Sequence, residues 1–248
     1  MQVRNEYERR GLLDIGRIVA SILEELRAAA RPGVTTADLD ALAGRLLGEN
    51  DAYPTPMREY DFPGRLCISV NDEVVHGIPG ERELREGDLV KLDLTADRRG
   101  FVADATRMAF VGEVDDLVRR ISGSVENACR SAIAAARTGM ELKELGRVVE
   151  DAVVRDGFTV VRILCGHGVG RRVHEEPEVP NYPDNENSGV LRQGMVITIE
   201  PIISAGSPRL RELGDGWTLV TGDGSLSAHY EDTIIIGDDG AEVVTVCS

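Results

Sequence analysis

Between Tyr7 and Ala30, apolar residues recur at helical spacing (Leu12, Ile15, Ile18/Val19, Ile22, Leu26) until Arg31-Pro32-Gly33 interrupts them. The spacing predicts an amphipathic helix stopped by proline and glycine. A second helix is predicted from Thr35 or Thr36. Thr35 and Asp38 stand three apart, as in a capping box, and Leu39, Leu42 and Leu46 form the stripe to be buried. The same succession is written again downstream. Ala-Ala-Ala-Arg-Pro-Gly at 28–33 reappears as Ala-Ala-Ala-Arg-Thr-Gly at 134–139, and Leu39 and Leu42 correspond to Leu145 and Val148, at an offset of 106. After each helix pair the pattern turns to alternation. Gly87-Asp-Leu-Val-Lys-Leu-Asp93 is matched by Gly194-Met-Val-Ile-Thr-Ile-Glu200 at an offset of 107, each a strand leaving a glycine turn with an acid six residues on. Return strands are predicted over Phe101–Phe110 and Leu226–Ile236. In them Asp104-Ala-Thr106 and Glu231-Asp-Thr233 repeat an acid followed two residues later by threonine. The second copy carries about 20 extra residues between its two strands, including Trp217, the only tryptophan.

A repeat of this length is not a solenoid period. It reads as two halves of one domain spanning 1–248, about 1–115 and 116–248, related by a pseudo-twofold with no Pro/Gly/Ser-rich linker between them. Such a duplication is expected to bring Asp93, Asp104, Glu200 and Glu231 toward one axis. Isolated buried charges cost several kcal/mol per ion, so four converging carboxylates require a positive partner. No Lys or Arg recurs at matching inward positions, which makes divalent first-row metal ions the natural compensator. Four carboxylates carry the charge that two such cations neutralise.

Composition narrows the classes. The 248 residues hold 28 Lys and Arg against 43 Asp and Glu, a net charge of −15, which disfavours binding to a phosphate backbone. No apolar run approaches the ~18 residues of a membrane span, and the charged start Met-Gln-Val-Arg-Asn-Glu lacks the apolar stretch of a secretory signal, so a cytoplasmic location is expected. The four cysteines (Cys67, Cys129, Cys165, Cys247) form no CxxC pair and are expected to be reduced, buried thiols, with Cys67 set apart. Only His76, His167, His174 and His229 supply imidazole. Gly166, Gly168 and Gly170 around His167 are expected to let backbone approach a ligand closely. Spacing alone does not assign His76, His167 and His174 to roles.

The segments Cys67-Ile-Ser-Val-Asn-Asp-Glu-Val-Val-His76-Gly-Ile-Pro, Asp93 with Asp104, Gly166-His167-Gly-Val-Gly with His174-Glu-Glu-Pro, Thr198-Ile-Glu200-Pro, and Tyr230-Glu231-Asp-Thr resemble type I methionine aminopeptidase in order and spacing, from the first helix to near the C-terminus. The resemblance implies an α/β (α+β) pita-bread fold, two pseudo-symmetric halves whose helices cover a curved antiparallel sheet. It also implies a metal-dependent enzyme that removes N-terminal methionine and prefers a small second residue. Asp93, Asp104, His167, Glu200 and Glu231 would hold two divalent ions (cobalt, manganese, iron, zinc or nickel). His76, His174 and Glu200 would be catalytic, and Phe62, Cys67 and Trp217 would line the methionine pocket beside His76 and His174. Thr106 is a candidate to support the ligands from behind; His229, whose role the pattern does not settle, is placed by strand alternation on the face of Glu231, as a supporting donor in first place or as an extra ligand. Peptide or nascent-chain N-termini would be the partners, with at most a transient ribosome association, no direct nucleic-acid or membrane binding, and a monomeric state.

Three positions depart from the pattern: Val173 and Glu59 stand where aromatics are usual, and His229 where Gln is frequent. Two rivals are weighed against this reading. An Xaa-Pro aminopeptidase or prolidase on the same fold usually carries an additional N-terminal domain, whereas this chain begins directly with the catalytic half. A metal-free binding protein on the fold lacks ligands, whereas all five are present here.

Overall fold

Asn5 caps the first helix by accepting from the Glu8 N–H, and α1 (Glu6–Ala29) then buries Leu12, Ile15, Val19, Ile22, Leu23 and Leu26 along one face. Each of these side chains removes apolar surface worth on the order of 2 kcal/mol from water. Helix α2 (Thr36–Glu49) begins with the expected capping box between Thr35 and Asp38. In this computed structural model, residues 1–247 are described. The first half continues with β1 (Tyr53–Pro54), α3 (Thr55–Glu59), β2 (Cys67–Val70), β3 (Glu73–Val75), β4 (Leu89–Arg98) and β5 (Phe101–Phe110). The second half repeats the helix pair as α4 (Asp116–Ala135) and α5 (Leu142–Arg155). There follow β6 (Thr159–Val160), β7 (Gly166–Gly168), β8 (Glu175–Val179), β9 (Val196–Ile199), β10 (Ile202–Ser204), β11 (Leu210–Glu212), β12 (Leu219–Thr221), β13 (Ser227–His229), β14 (Glu231–Ile236) and β15 (Ala241–Val243).

One antiparallel sheet crosses the molecule in the order β1-β4-β5-β14-β9-β7-β8, with β2 paired to β4 and β15 to β14. The join between the halves is β5 beside β14, in register Glu231 to Thr106 and Asp232 to Ala105. Side chains alternate across a strand. Leu92, Leu94, Ala103 and Ala105 therefore enter a core with α1 and α2, while Ile197, Ile199, Ile234 and Ile236 enter a second core with α4 and α5. Their neighbours Asp93, Asp104, Thr106, Thr198, Glu231 and Thr233 turn to the opposite face.

The expected strand over Leu226–Ile236 is broken in two. Ser227–His229 pairs with β10 in a small sheet, whereas Glu231–Ile236 inserts between β5 and β9. The neighbouring strands break at the same level, where Pro201, which has no N–H for a ladder, separates β9 from β10. The Tyr230 N–H donates to the Pro201 carbonyl oxygen (3.4 Å) across the corner. The extra residues of the second copy form the β11–β12 hairpin, which pairs with β3 and brings Trp217 beside the first half. The cysteine expectation needs correction: Cys67 and Cys129 are buried, but Cys165 is half-buried and Cys247 exposed.

Candidate metal centre

Strand register sets the acids. Asp93 on β4 lies opposite Thr106 of β5, and Asp104 opposite Thr95, so the two aspartates are diagonal neighbours on one face. Glu231 opens β14, and Glu200 directly follows β9 at the corner made by Pro201. His167 occupies the middle of β7, where its N–H donates to Thr198 Oγ1 (2.9 Å). Glycine flanks it for a reason other than the one expected. A Cβ at Gly168 would stand 2.2 Å from the Glu176 carbonyl oxygen, and one at Gly166 would stand 2.7 Å from that of Thr198. Neighbouring backbone, not a ligand, occupies the space that these glycines leave.

His167 Nε2 is 3.2 Å from Glu200 Oε1 and 3.9 Å from Asp104 Oδ2. His229 Nε2 is 3.7 Å from Glu200 Oε2 and 3.9 Å from Glu231 Oε2. Donor atoms of Asp104, His167 and Glu231 all lie within 4.8 Å of one another, a spacing that one cation spans. Threonines hold the carboxylates in place: Thr106 donates to Glu231 Oε2 (3.0 Å) and Thr198 to Glu200 Oε1 (2.8 Å). His167 Nδ1 lies 3.0 Å from the Gly168 carbonyl, which can only accept, so Nδ1 carries the proton and Nε2 presents its lone pair to the acids.

Burial, followed by mutual repulsion, pushes the Asp93, Glu200 and Glu231 carboxyls well above the usual carboxylate range, Glu200 being partly offset by its Thr198 hydrogen bond. Burial also raises Asp104 to about 6. It lowers His167 and His229 to about 3 each, helped by His174 in the first case and Lys91 in the second. Among the described residues no Lys or Arg forms an ion pair with any of the four acids. Buried Lys91 is near, but its Nζ donates to the Asn71 carbonyl (2.7 Å) and to Ser227. Three buried polar atoms at the centre have no partner, namely Asp104 Oδ1, Glu231 Oε1 and His229 Nε2. Such atoms are rare in folded proteins. Oxygen-rich acceptors converging without a donor, next to a neutral imidazole lone pair, fit divalent first-row cations.

The centre forms the floor of a cavity of about 250 Å³. Phe62, Cys67 and Trp217 line it with His76, His174 and His229, and every residue singled out in the sequence for the site is in it except Thr106, which lies behind Glu231. Phe62 and Trp217 meet edge-to-face, centroids 5.1 Å apart at 85°. His76 is held at φ 59, a left-handed conformation that costs a non-glycine residue about 1 kcal/mol. Sequence reasoning passed over Tyr60, whose hydroxyl lies 2.8 Å from His174 Nδ1, as well as Val75, Leu164 and Ile202 of the apolar wall. The alternation that exposed Asp93 and Glu200 also signals Thr198, two residues before Glu200. Nothing local signals the wall, which gathers from distant loops.

The sequence model of Metallopeptidase family M24 matches residues 10–238. This chain belongs to that family. Within M24, it is 41% identical to methionine aminopeptidase 2 of Bacillus subtilis over 247 residues, 99% of each chain. Its fold superposes on the methionine aminopeptidase structure from Rickettsia prowazekii with a TM-score of 0.95 at 34% identity, covering 99% of this chain and 100% of that one. The prolidase from Pyrococcus furiosus matches with a TM-score of 0.80 at 25% identity, over 99% of this chain but 66% of that one. The pita-bread architecture expected from the sequence is thus the M24 fold seen here.

Proposed function

We propose that this chain removes the N-terminal methionine from new proteins and peptides, preferring a small second residue. It acts as a single catalytic domain of two halves, cytoplasmic and monomeric, meeting nascent-chain N-termini with at most a transient hold on the ribosome. Asp93, Asp104, His167, Glu200 and Glu231 hold two divalent cations. When bound, these supply Lewis acidity at the scissile carbonyl and a nucleophile generated from water. Glu200, as a carboxylate, takes a proton and delivers it to the leaving amine. His174 donates toward the substrate carbonyl oxygen and His76 lies near the scissile amide. Phe62, Cys67 and Trp217 receive the methionine side chain, whose sulfur gains from aromatic edges. Thr106 and His229 orient the carboxylates of Glu231 and Glu200.

The observation that carries this reading is the juxtaposition of a buried, unpartnered acceptor cluster with an apolar aromatic pocket in one small cavity. The test is metal analysis of the purified protein together with cleavage of Met-Ala-Ser against Ala-Pro peptides. Two equivalents of divalent metal with cleavage of the methionyl peptide are expected. Cleavage of the Ala-Pro peptide alone would transfer the chain to the Xaa-Pro peptidases.

A further inference from the structure

His174 reaches the cavity from an irregular turn, Arg171 to His174, that leads into β8. Its imidazole packs on His167, ring centroids 4.3 Å apart, so a small rotation changes where it points relative to the centre. Two carboxylates grip the turn. From inside, Glu175 Oε1 accepts from the N–H groups of Arg171 (2.7 Å) and Arg172 (3.0 Å). From across the cavity mouth, Glu59 Oε2 accepts from the Val173 N–H (3.2 Å). Glu59 and Val173, two positions that depart from the family pattern, therefore meet each other.

Tyr60, the next residue, places its hydroxyl 2.8 Å from His174 Nδ1, with the rings 5.4 Å apart. Between a phenol and a neutral imidazole, the phenol O–H is the better donor and the unprotonated ring nitrogen the better acceptor. The bond is then O–H to Nδ1, which leaves the proton of His174 on Nε2. The segment that carries Tyr60 is braced by its own backbone and by β4. The Tyr60 and Phe62 N–H groups both donate to the Pro56 carbonyl, and Arg58 pairs with Asp97 of β4 at 2.6 Å.

We propose that Glu59 and Tyr60 form a clamp that positions His174: Tyr60 fixes the tautomer with Nε2–H directed into the cavity, and Glu59 fixes the backbone that carries the ring. Both are positioning residues. Because Phe62 follows on the same segment and shares the Pro56 carbonyl, the wall of the methionine pocket and the setting of His174 rest on one platform. The inference rests on His174 facing the substrate.

The test uses ¹⁵N-labelled, zinc-loaded protein, in which long-range proton–nitrogen spectra report the tautomers of only four histidines; His174→Asn assigns the signals. In the unmodified protein His174 is expected with Nδ1 bare and Nε2 protonated. Tyr60→Phe should average the two tautomers and lower kcat on Met-Ala-Ser roughly 3- to 10-fold, the worth of one neutral hydrogen bond, with metal content and KM little changed. Glu59→Gln keeps an acceptor and should recover most of what Glu59→Ala loses in kcat. Full kcat in His174→Asn would remove the underlying role of His174. A large loss there, with an unchanged tautomer or unchanged kcat in Tyr60→Phe, overturns the clamp alone.

Discussion

At the residue scale, one substitution has opposite consequences with and without metal. Asp104 and Glu231 each bring an unpartnered buried oxygen to the centre, so Asp104→Asn and Glu231→Gln each remove a ligand charge. Metal affinity and kcat/KM should fall by at least roughly 10²-fold, more than the usual cost of losing a residue that merely supports a ligand. In chelator, the same variants should melt higher than the unmodified protein, because one of four repelling carboxylates is gone. Full metal content with full activity in either variant would refute the ligand assignment. His229 poses a finer question, since its unpartnered Nε2 faces both Glu200 and Glu231 at 3.7 and 3.9 Å. If it orients their carboxylates, His229→Gln should keep both metals and most activity, whereas His229→Ala should lose roughly 10–100-fold. Loss of one metal in both variants, by titration calorimetry, would make His229 a ligand instead. Asp93, Asp104, Glu200 and Glu231 were legible in the sequence because acids at repeated offsets survive as a pattern. His229 was legible only as a residue in the vicinity, and Tyr60 not at all, because its partner His174 is 114 positions away.

At the element scale the decisive feature is the corner at Pro201 and Tyr230. Alternation alone predicts an unbroken strand through His229 and Glu231. The structure instead assigns them to different sheets, with His229 opposite Ile202. The histidine still reaches the acids, because the fold turns the smaller sheet inward at the metal centre. Strand β7 shows the same dependence on close packing. Gly168→Ala would thrust a Cβ to 2.2 Å from the Glu176 carbonyl and displace His167. It should destabilise by about 1–3 kcal/mol and weaken metal binding together. Gly123→Ala is the contrasting case. This helical glycine has nothing within 4 Å of an added Cβ, and the change should stabilise by ~0.5–1 kcal/mol without touching metal affinity. Equal melting points for the two variants would show that the glycine flanks of His167 are not packing requirements.

At the scale of the whole molecule, two helix-covered halves join edge to edge at β5 and β14 and line up their acids on one face of the shared sheet, and the metal-free fold bears the repulsion. Asp104 is raised from 3.8 to about 6, with Asp93, Glu200 and Glu231 shifted upward as well. Groups raised in the fold favour it below their unfolded values and lose that contribution as pH climbs through their folded values. His167 and His229, lowered from 6.5 to about 3, act the other way: they favour the fold above 6.5 and oppose it as pH falls toward 3. Buried Lys91, lowered by burial from 10.5 to about 7, adds stability as pH rises above 7 and so opposes the carboxylates there. Divalent metal, which binds the folded state alone, should raise the melting midpoint above that in chelator at every pH from 6.5 to 8.5. No metal-dependent shift at any of these pH values would contradict the assignment of the acidic centre. The sequence by itself determined the duplicated helix–helix–strand–strand plan, the capping box at Thr35 and the four acids, because periodicity, caps and repeated spacings are local or translational patterns; His167 joined them only through the family resemblance. Only the tertiary structure decided that Phe62 meets Trp217, that Tyr60 holds His174 and that the last strand breaks at Tyr230. Those contacts join residues far apart in the chain, and which surfaces meet follows from the packing of the two cores and the twist of the sheet between them.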